Sequence, residues 1–312
     1  VIDFRYHLVS IVSIFLALAV GIVLGAGPLK EDLGNTLTSE VKNLRQDKAT
    51  LRTQLDQAER GDKARDEFTT ASNRSLLASR LDDTTVSVIV LPGADDGLVK
   101  STTDTLTAAG ATIGSTISVQ DAWVDPDKAT LRSTLAQNLA GQVGVPVDQS
   151  ADLVDTVLAR SVLTKAGSGA AGANAALEGL RTGELVKYSP DTVTRATLAV
   201  VVAGPVTGSD TAARSDRAAA LARLAGAMDS AGAGAVLVTS STAPGTTGTA
   251  SVVTAARDDK DLSGALTTVD DGELPMGQAS VVFGLLEQEA GKSGQYGLAG
   301  DASAGFPQLA TK

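Results

Sequence analysis

The side chains of this sequence that are placed to do chemistry are mostly acidic. Asp95 and Asp96 follow the apolar run Val86 to Ala94, and Asp270 and Asp271 follow Leu266-Thr-Thr-Val269. Adjacent carboxylates at strand ends could hold a divalent cation or work as an acid–base couple. Acidic turns also cap helices and stay solvated. No base or further ligand stands at a recognisable spacing from either pair, so no catalytic residue is assigned. Asp95 and Asp96 are kept as candidate ligand residues. Ser240 to Gly248 is rich in Ser and Thr, whose hydroxyls could bond a glycan or a phosphate. Gly291-Lys-Ser resembles the end of a phosphate loop, but Leu286 stands where that loop needs its first Gly. The run also closes a helix rather than following a strand, which excludes it.

The inventory removes whole classes of mechanism. There is no Cys, one His (His7) and two Met, Met228 and Met276, far apart in the chain. Thiolate sites, Cys nucleophiles, Ser-His-Asp hydrolysis in the body and His-ligated zinc are excluded. No resident metal or cofactor is expected. The net charge of −10 argues against nucleic acid as a partner, because phosphate contacts need clustered Lys and Arg. With 43% hydrophobic and 20% charged residues among 312, the bulk of the chain should fold.

The elements that must position these residues begin at Thr84. Val86 to Ala94, Thr197 to Val206 and Ala233 to Ser240 are apolar runs of the kind buried on both sheet faces, and LTTVDD from Leu266 reads as a further strand. Helical stretches lie between them, among them Leu98–Ala109, Thr211–Ala231 and Gly277–Gly291, with a flexible Gly-Ser loop from Gly167. Alternating strands and helices predict a mostly parallel, Rossmann-like α/β domain over residues 82–312, with a Gly-rich tail that frays. In such a sheet ligands bind beyond the carboxyl ends of the strands.

The N-terminal part has a different character. Residues 8–27 are uncharged and long enough to cross about 30 Å of hydrocarbon as a helix. The alternative, a cleaved signal peptide, fits less well, since Leu24 stands where a small residue is expected before the cut. A short stub, residues 1–7, with Arg5 predicts a cytoplasmic N-terminus and an extracytoplasmic body. Ser13, Ala17, Gly21 and Gly25 recur every fourth residue, a small-residue face that lets helix backbones approach in lipid. Residues 28–81 predict a coiled-coil stalk. Leu37, Leu44 and Leu51 fall seven apart, with Val41 and Leu55 on the interleaved register, and Lys48 is the polar interruption. A spacer packed on its own domain is the plainer reading. An interaction arm, self-paired as a homodimer or offered to a partner, better explains a helix of roughly 75 Å.

The opening block Ile2 to Pro28 resembles the actinobacterial envelope family typified by mycobacterial MctB and corynebacterial SteB. The likeness continues through VIVLPGA, LVKYSPDT at Leu185–Thr192, VVVAGP and PMGQASVVFGLL, with the corynebacterial branch the nearer. The resemblance implies two functions. One is non-catalytic work in cell separation, pairing with a SteA-like membrane protein and regulating a peptidoglycan hydrolase through the coiled coil. The other is copper export or tolerance. Copper favours thiolate, thioether or imidazole ligands, which are scarce here, and one helix cannot form a pore alone. The expectation is therefore cell separation first, copper second, and a ligand sensor third.

Overall fold

The computed structural model describes residues 4–25, 29–148, 150, 152–165, 172–241 and 248–308. The Gly-Ser loop lies mainly outside them, as do residues 242–247 of the Ser/Thr-rich stretch. The chain divides into two compact units, Val1–Arg65 and Asp66–Lys312.

In the first unit, α1 (Phe4–Gly25) is a continuous helix whose side chains are all exposed. Its composition suits it to lipid: uncharged from Leu8 onward, with no Pro and with all backbone bonds made internally. Helix α2 (Leu29–Leu76) carries no Pro and Gly only at Gly34 and Gly61, a composition that favours a long helix. It stops earlier than the predicted stalk. Leu77 and Leu81, assigned to that stalk by sequence, are buried in the core of the second unit, so the body begins before residue 82.

The second unit is the α/β body. In chain order it comprises β1 (Thr85–Val90), α3 (Asp96–Ala108), β2 (Thr112–Val119), α4 (Ala129–Ala140), α5 (Leu153–Val162), α6 (Ala173–Thr182), β3 (Val186–Ser189), β4 (Leu198–Val202), β5 (Val206–Thr207), α7 (Thr211–Ala231), β6 (Gly234–Val238), β7 (Thr249–Ala250), α8 (Val252–Asp258), α9 (Lys260–Ala265), β8 (Thr267–Val269), α10 (Pro275–Glu289) and β9 (Gln295–Tyr296). The main sheet has seven strands in the order β3-β2-β1-β4-β6-β8-β9, while β5 and β7 pair separately. All neighbours in the main sheet are parallel except β2 and β3. This is the strand order of a doubly wound fold, with its reversal between β1 and β4.

The period-2 alternation of the strands divides the core in two. Val86 and Val88 of β1, Val200 of β4 and Val236 of β6 face one side, where they pack with Leu98, Leu106, Val281 and Leu285 of α3 and α10. Ile89, Val201 and Leu237 face the other side, against α4 to α8. Strands covered on both faces must be apolar at every position, which is why β4 and β6 read as unbroken hydrophobic runs.

Two parts of the body differ from the expectation. The antiparallel β3 (Val186–Ser189) closes one sheet edge where no strand was expected. The Gly-rich tail does not fray over its described residues. It contributes β9 to the other edge, and Tyr296 pairs with Ala304 beyond it. Tyr296 donates to Glu287 at 2.6 Å, tying the tail to α10. Short, Gly-flanked strands carry too few residues for periodicity to reveal them.

Candidate functional site

At the strand reversal, where a doubly wound sheet offers its ligand crevice, backbone fills the space. A Cβ at Gly204 would fall on the carbonyl oxygen of Gly93, and a Cβ at Gly93 would lie 3.3 Å from the Pro205 carbonyl. The loops after β1 and β4 therefore touch through glycine backbone, and Leu91 donates across to Val202 at 2.9 Å. At the N-terminus of α3, where a helix favours negative charge, the chain places its own acids. Asp95 caps α3, accepting from the Leu98 amide at 2.9 Å, and Asp96 lies exposed in the first turn. This gives Asp95 a structural partner, and its carboxylate is negative where a phosphate would need positive ends.

The second acidic pair is where the fold does something unusual. Asp270 and Asp271 are adjacent, both buried, at the end of β8, yet their surroundings are opposite. Asp270 is fully engaged. Its Oδ2 accepts from Arg257 at 2.7 Å, and its Oδ1 accepts from the amides of Leu298 and Ala299 at 2.7 and 3.1 Å. Arg257, from α8, is a hub: it also donates to Asp301 at 2.6 Å, to Thr268 at 2.9 Å and to the Tyr296 carbonyl at 2.8 Å. This cluster pins the C-terminal segment against the sheet edge. In this ion-pair network the Arg257 and Asp270 side chains are buried, and Asp301 joins them from the exposed edge.

Asp271 has no such support. It is 0% exposed, and neither carboxylate oxygen has a hydrogen-bond partner. Burial, then the charges of Asp270 and Glu273, push its carboxyl up to about 6. Gln278, in the first turns of α10, sits against the same stretch. Its Nε2 donates to the Gly272 carbonyl and to Thr102 at 3.2 Å, and its buried Oε1 has no partner. Sequence reading singled out Asp270 and Asp271 as a pair but gave no means of separating a paired carboxylate from an unpaired one. Arg257 and Gln278 carried no signal at all, since their contacts are set by residues far away in the chain.

The remaining sequence-assigned residues lie elsewhere. Ser13, Ala17, Gly21 and Gly25 are all exposed along α1, and a Cβ added at Gly21 or Gly25 would meet nothing within 4 Å. Leu37, Val41, Leu44, Leu51 and Leu55 are exposed along α2, from 40% for Val41 to 68% for Leu37. Met228 is sealed in the core and Met276 is half-buried at the start of α10. No group of three or more His, Cys, Asp or Glu among the described residues is placed to hold a metal ion. A cavity of about 360 Å³ beside α7 is lined by charges that include the Arg223–Asp152 pair, joined at 3.1 Å.

A near-full-length sequence match decides the family. The family model described as "Copper transport outer membrane protein, MctB" matches residues 1–307. The chain belongs to the MctB family. Curated relatives named "Copper transporter MctB" from Mycobacterium tuberculosis (strain H37Rv) and Mycobacterium bovis are each 28% identical over 308 residues, covering 95% of this chain and 96% of theirs. The relative of the same name from Mycobacterium leprae is 28% identical over 325 residues, covering 98% of this chain and 100% of its own.

These findings overturn the expected order of functions. Cell separation through a SteA-like protein and a peptidoglycan hydrolase was expected first; the family description and the relatives' names are those of copper transport. The expectation failed because it weighed the scarcity of Cys, His and accessible Met as evidence about function. That scarcity limits direct copper ligation by one copy of this chain and says nothing of a role within an assembly. The MctB relatives are named as transporters, not as enzymes.

Proposed function

We propose that this protein works in copper transport or tolerance, as a non-catalytic, membrane-anchored member of an assembly. The near-full-length MctB match carries this reading. The ligand inventory decides its form. Met228 is inside the core, so the chain's accessible soft or borderline ligands reduce to His7 and the half-buried Met276. One apolar helix encloses no path, so passage of an ion needs several copies or another membrane protein.

Two exposed faces could build that assembly. The small-residue face of α1 through Ser13, Ala17, Gly21 and Gly25 suits close helix packing in lipid. The seam of Leu37, Val41, Leu44, Leu51 and Leu55 on α2 suits a homodimeric coiled coil, with Lys48 fixing register. In this arrangement the N-terminus is cytoplasmic, α1 spans the membrane and the α/β body lies outside the cytoplasm.

The test is copper accumulation and growth in a deletion strain. Loss of the protein should raise cell-associated copper and lower the tolerated concentration, and the wild-type chain should restore both. Gly21→Leu should restore them poorly despite normal membrane levels. Unchanged copper content and tolerance in the deletion strain would refute the reading.

A further inference from the structure

The charges that flank the apolar seam of α2 are arranged for a partner outside their own helix. Leu37, Leu44 and Leu51 hold one heptad position and Val41, Lys48 and Leu55 the other, and all six are exposed. The positions bordering this seam carry Glu40 and Asp47 on one flank and Arg45 and Arg52 on the other, again all exposed. Along a helix a side chain meets the residues three and four away. None of those neighbours carries the opposite charge for Glu40, Arg45 or Asp47, and Arg45 has like charges at Lys42 and Lys48. Only Arg52 has an acid within that reach, Asp56. Further along α2, Arg65 and Asp62 do pair within the helix, whereas the four seam-flanking charges make no ion pair among the described residues.

A second copy supplies what the helix lacks. In a parallel, in-register pair the acid on one flank faces the residue five further on in the other helix. Glu40 then faces the partner's Arg45 and Asp47 faces the partner's Arg52. Two-fold symmetry repeats each contact, so both flanks of the seam are closed by attraction. An antiparallel pair brings like flanks together, acid against acid and Arg against Arg. The seam agrees with two strands: Val41 stands at one position and Leu throughout the other, and Lys48 within the seam fixes the register at a cost in stability. Exposed ion pairs add little strength, so their main effect is on direction and register.

We propose that residues 37–55 of α2 pair with a second copy of this chain as a parallel, in-register, two-stranded coiled coil. Its ion pairs join Glu40 to the partner's Arg45 and Asp47 to the partner's Arg52. The inference rests on the assembly reading of α2 given above and deepens it by naming the occupant of the seam, its direction and the pairs that select it.

The experiment uses the full chain in detergent at low salt, where such pairs are least screened. Since the chain has no Cys, Leu37→Cys and Leu51→Cys serve as separate reporters with a short bis-maleimide. Each should cross-link to itself, because two well-separated positions can both meet their own copies only in a parallel, in-register pair. Glu40→Arg with Asp47→Arg turns every flanking contact repulsive and should weaken dimerisation, read by sedimentation equilibrium, by about tenfold or more. Adding Arg45→Glu and Arg52→Glu restores the pairs with their signs exchanged and should restore the dimer. A chain that stays monomeric, a reporter position that does not cross-link, or a dimer indifferent to the charge reversal would overturn the proposal. So would a reversal that the exchange fails to rescue. The copper reading is tested separately in the deletion strain: a dimer with unchanged copper leaves the coiled coil standing, and a monomer with raised copper leaves the transport reading standing.

Discussion

Replacing Asp271 by Asn should stabilise this protein, and the amount follows from its burial. The carboxyl rises from an ordinary value of 3.8 to about 6, with desolvation the first cause and Asp270 the second. A carboxyl raised in the fold holds its proton more tightly there than in the unfolded chain. Stability is therefore greatest below pH 3.8, falls as the pH climbs from 3.8 to about 6, and is flat above that. The interval of 6 − 3.8, at 1.36 kcal/mol per pH unit, puts the penalty of the ionised form at ~3 kcal/mol at neutral pH. The amide keeps the shape but still buries polar atoms, so the net gain should be about 1–3 kcal/mol. Urea unfolding at pH 4.5 and pH 8 reads this directly. Between the two pH values wild type should lose about 2 kcal/mol more than Asp271→Asn, so the gap between them narrows at the lower pH. A variant advantage of the same size at both pH values, or a variant less stable at pH 8, would show that the charge is not the cause.

Other consequences are equally open to measurement. Trp123, the single Trp, donates from Nε1 to Asp155 at 2.9 Å, and burial pushes that acid up to about 7; Trp emission should titrate near pH 7 and become flat in Asp155→Asn. Arg257→Met leaves Asp270 buried and unpaired, which should cost about 3–5 kcal/mol and expose the C-terminal segment to limited proteolysis; a tail as resistant as wild type would count against the hub. Asp95→Ala removes the cap of α3 and should lower stability by roughly 1 kcal/mol without touching copper tolerance. Because the chain has no Cys, a single Cys placed at the exposed Ser303 reports topology cleanly: an impermeant maleimide should label it in intact cells if the body is extracytoplasmic.

The sequence by itself determined the parts whose information is local. The uncharged run before Gly25 forms α1 whatever surrounds it, because a long apolar helix satisfies its own backbone. The unbroken Val-rich runs of β4 and β6 required a sheet covered on both faces, and alternation with helices made that sheet mostly parallel. The Asp pairs were visible as strand-end acids from their position alone. What tertiary structure decided was the chemistry of those acids. Asp95 became a cap because α3 starts one residue later. Asp270 became the centre of an ion-pair network because Arg257 and the amides of Leu298 and Ala299 reach it from segments close in space and distant in sequence. Asp271, one residue on, is fully buried and no other residue's donor reaches its carboxylate. Two identical residues side by side thus differ completely in their hydrogen-bond partners. Likewise no composition could show that Gly93 and Gly204 would meet and fill the crevice at the strand reversal, since that contact exists only once β1 and β4 lie side by side.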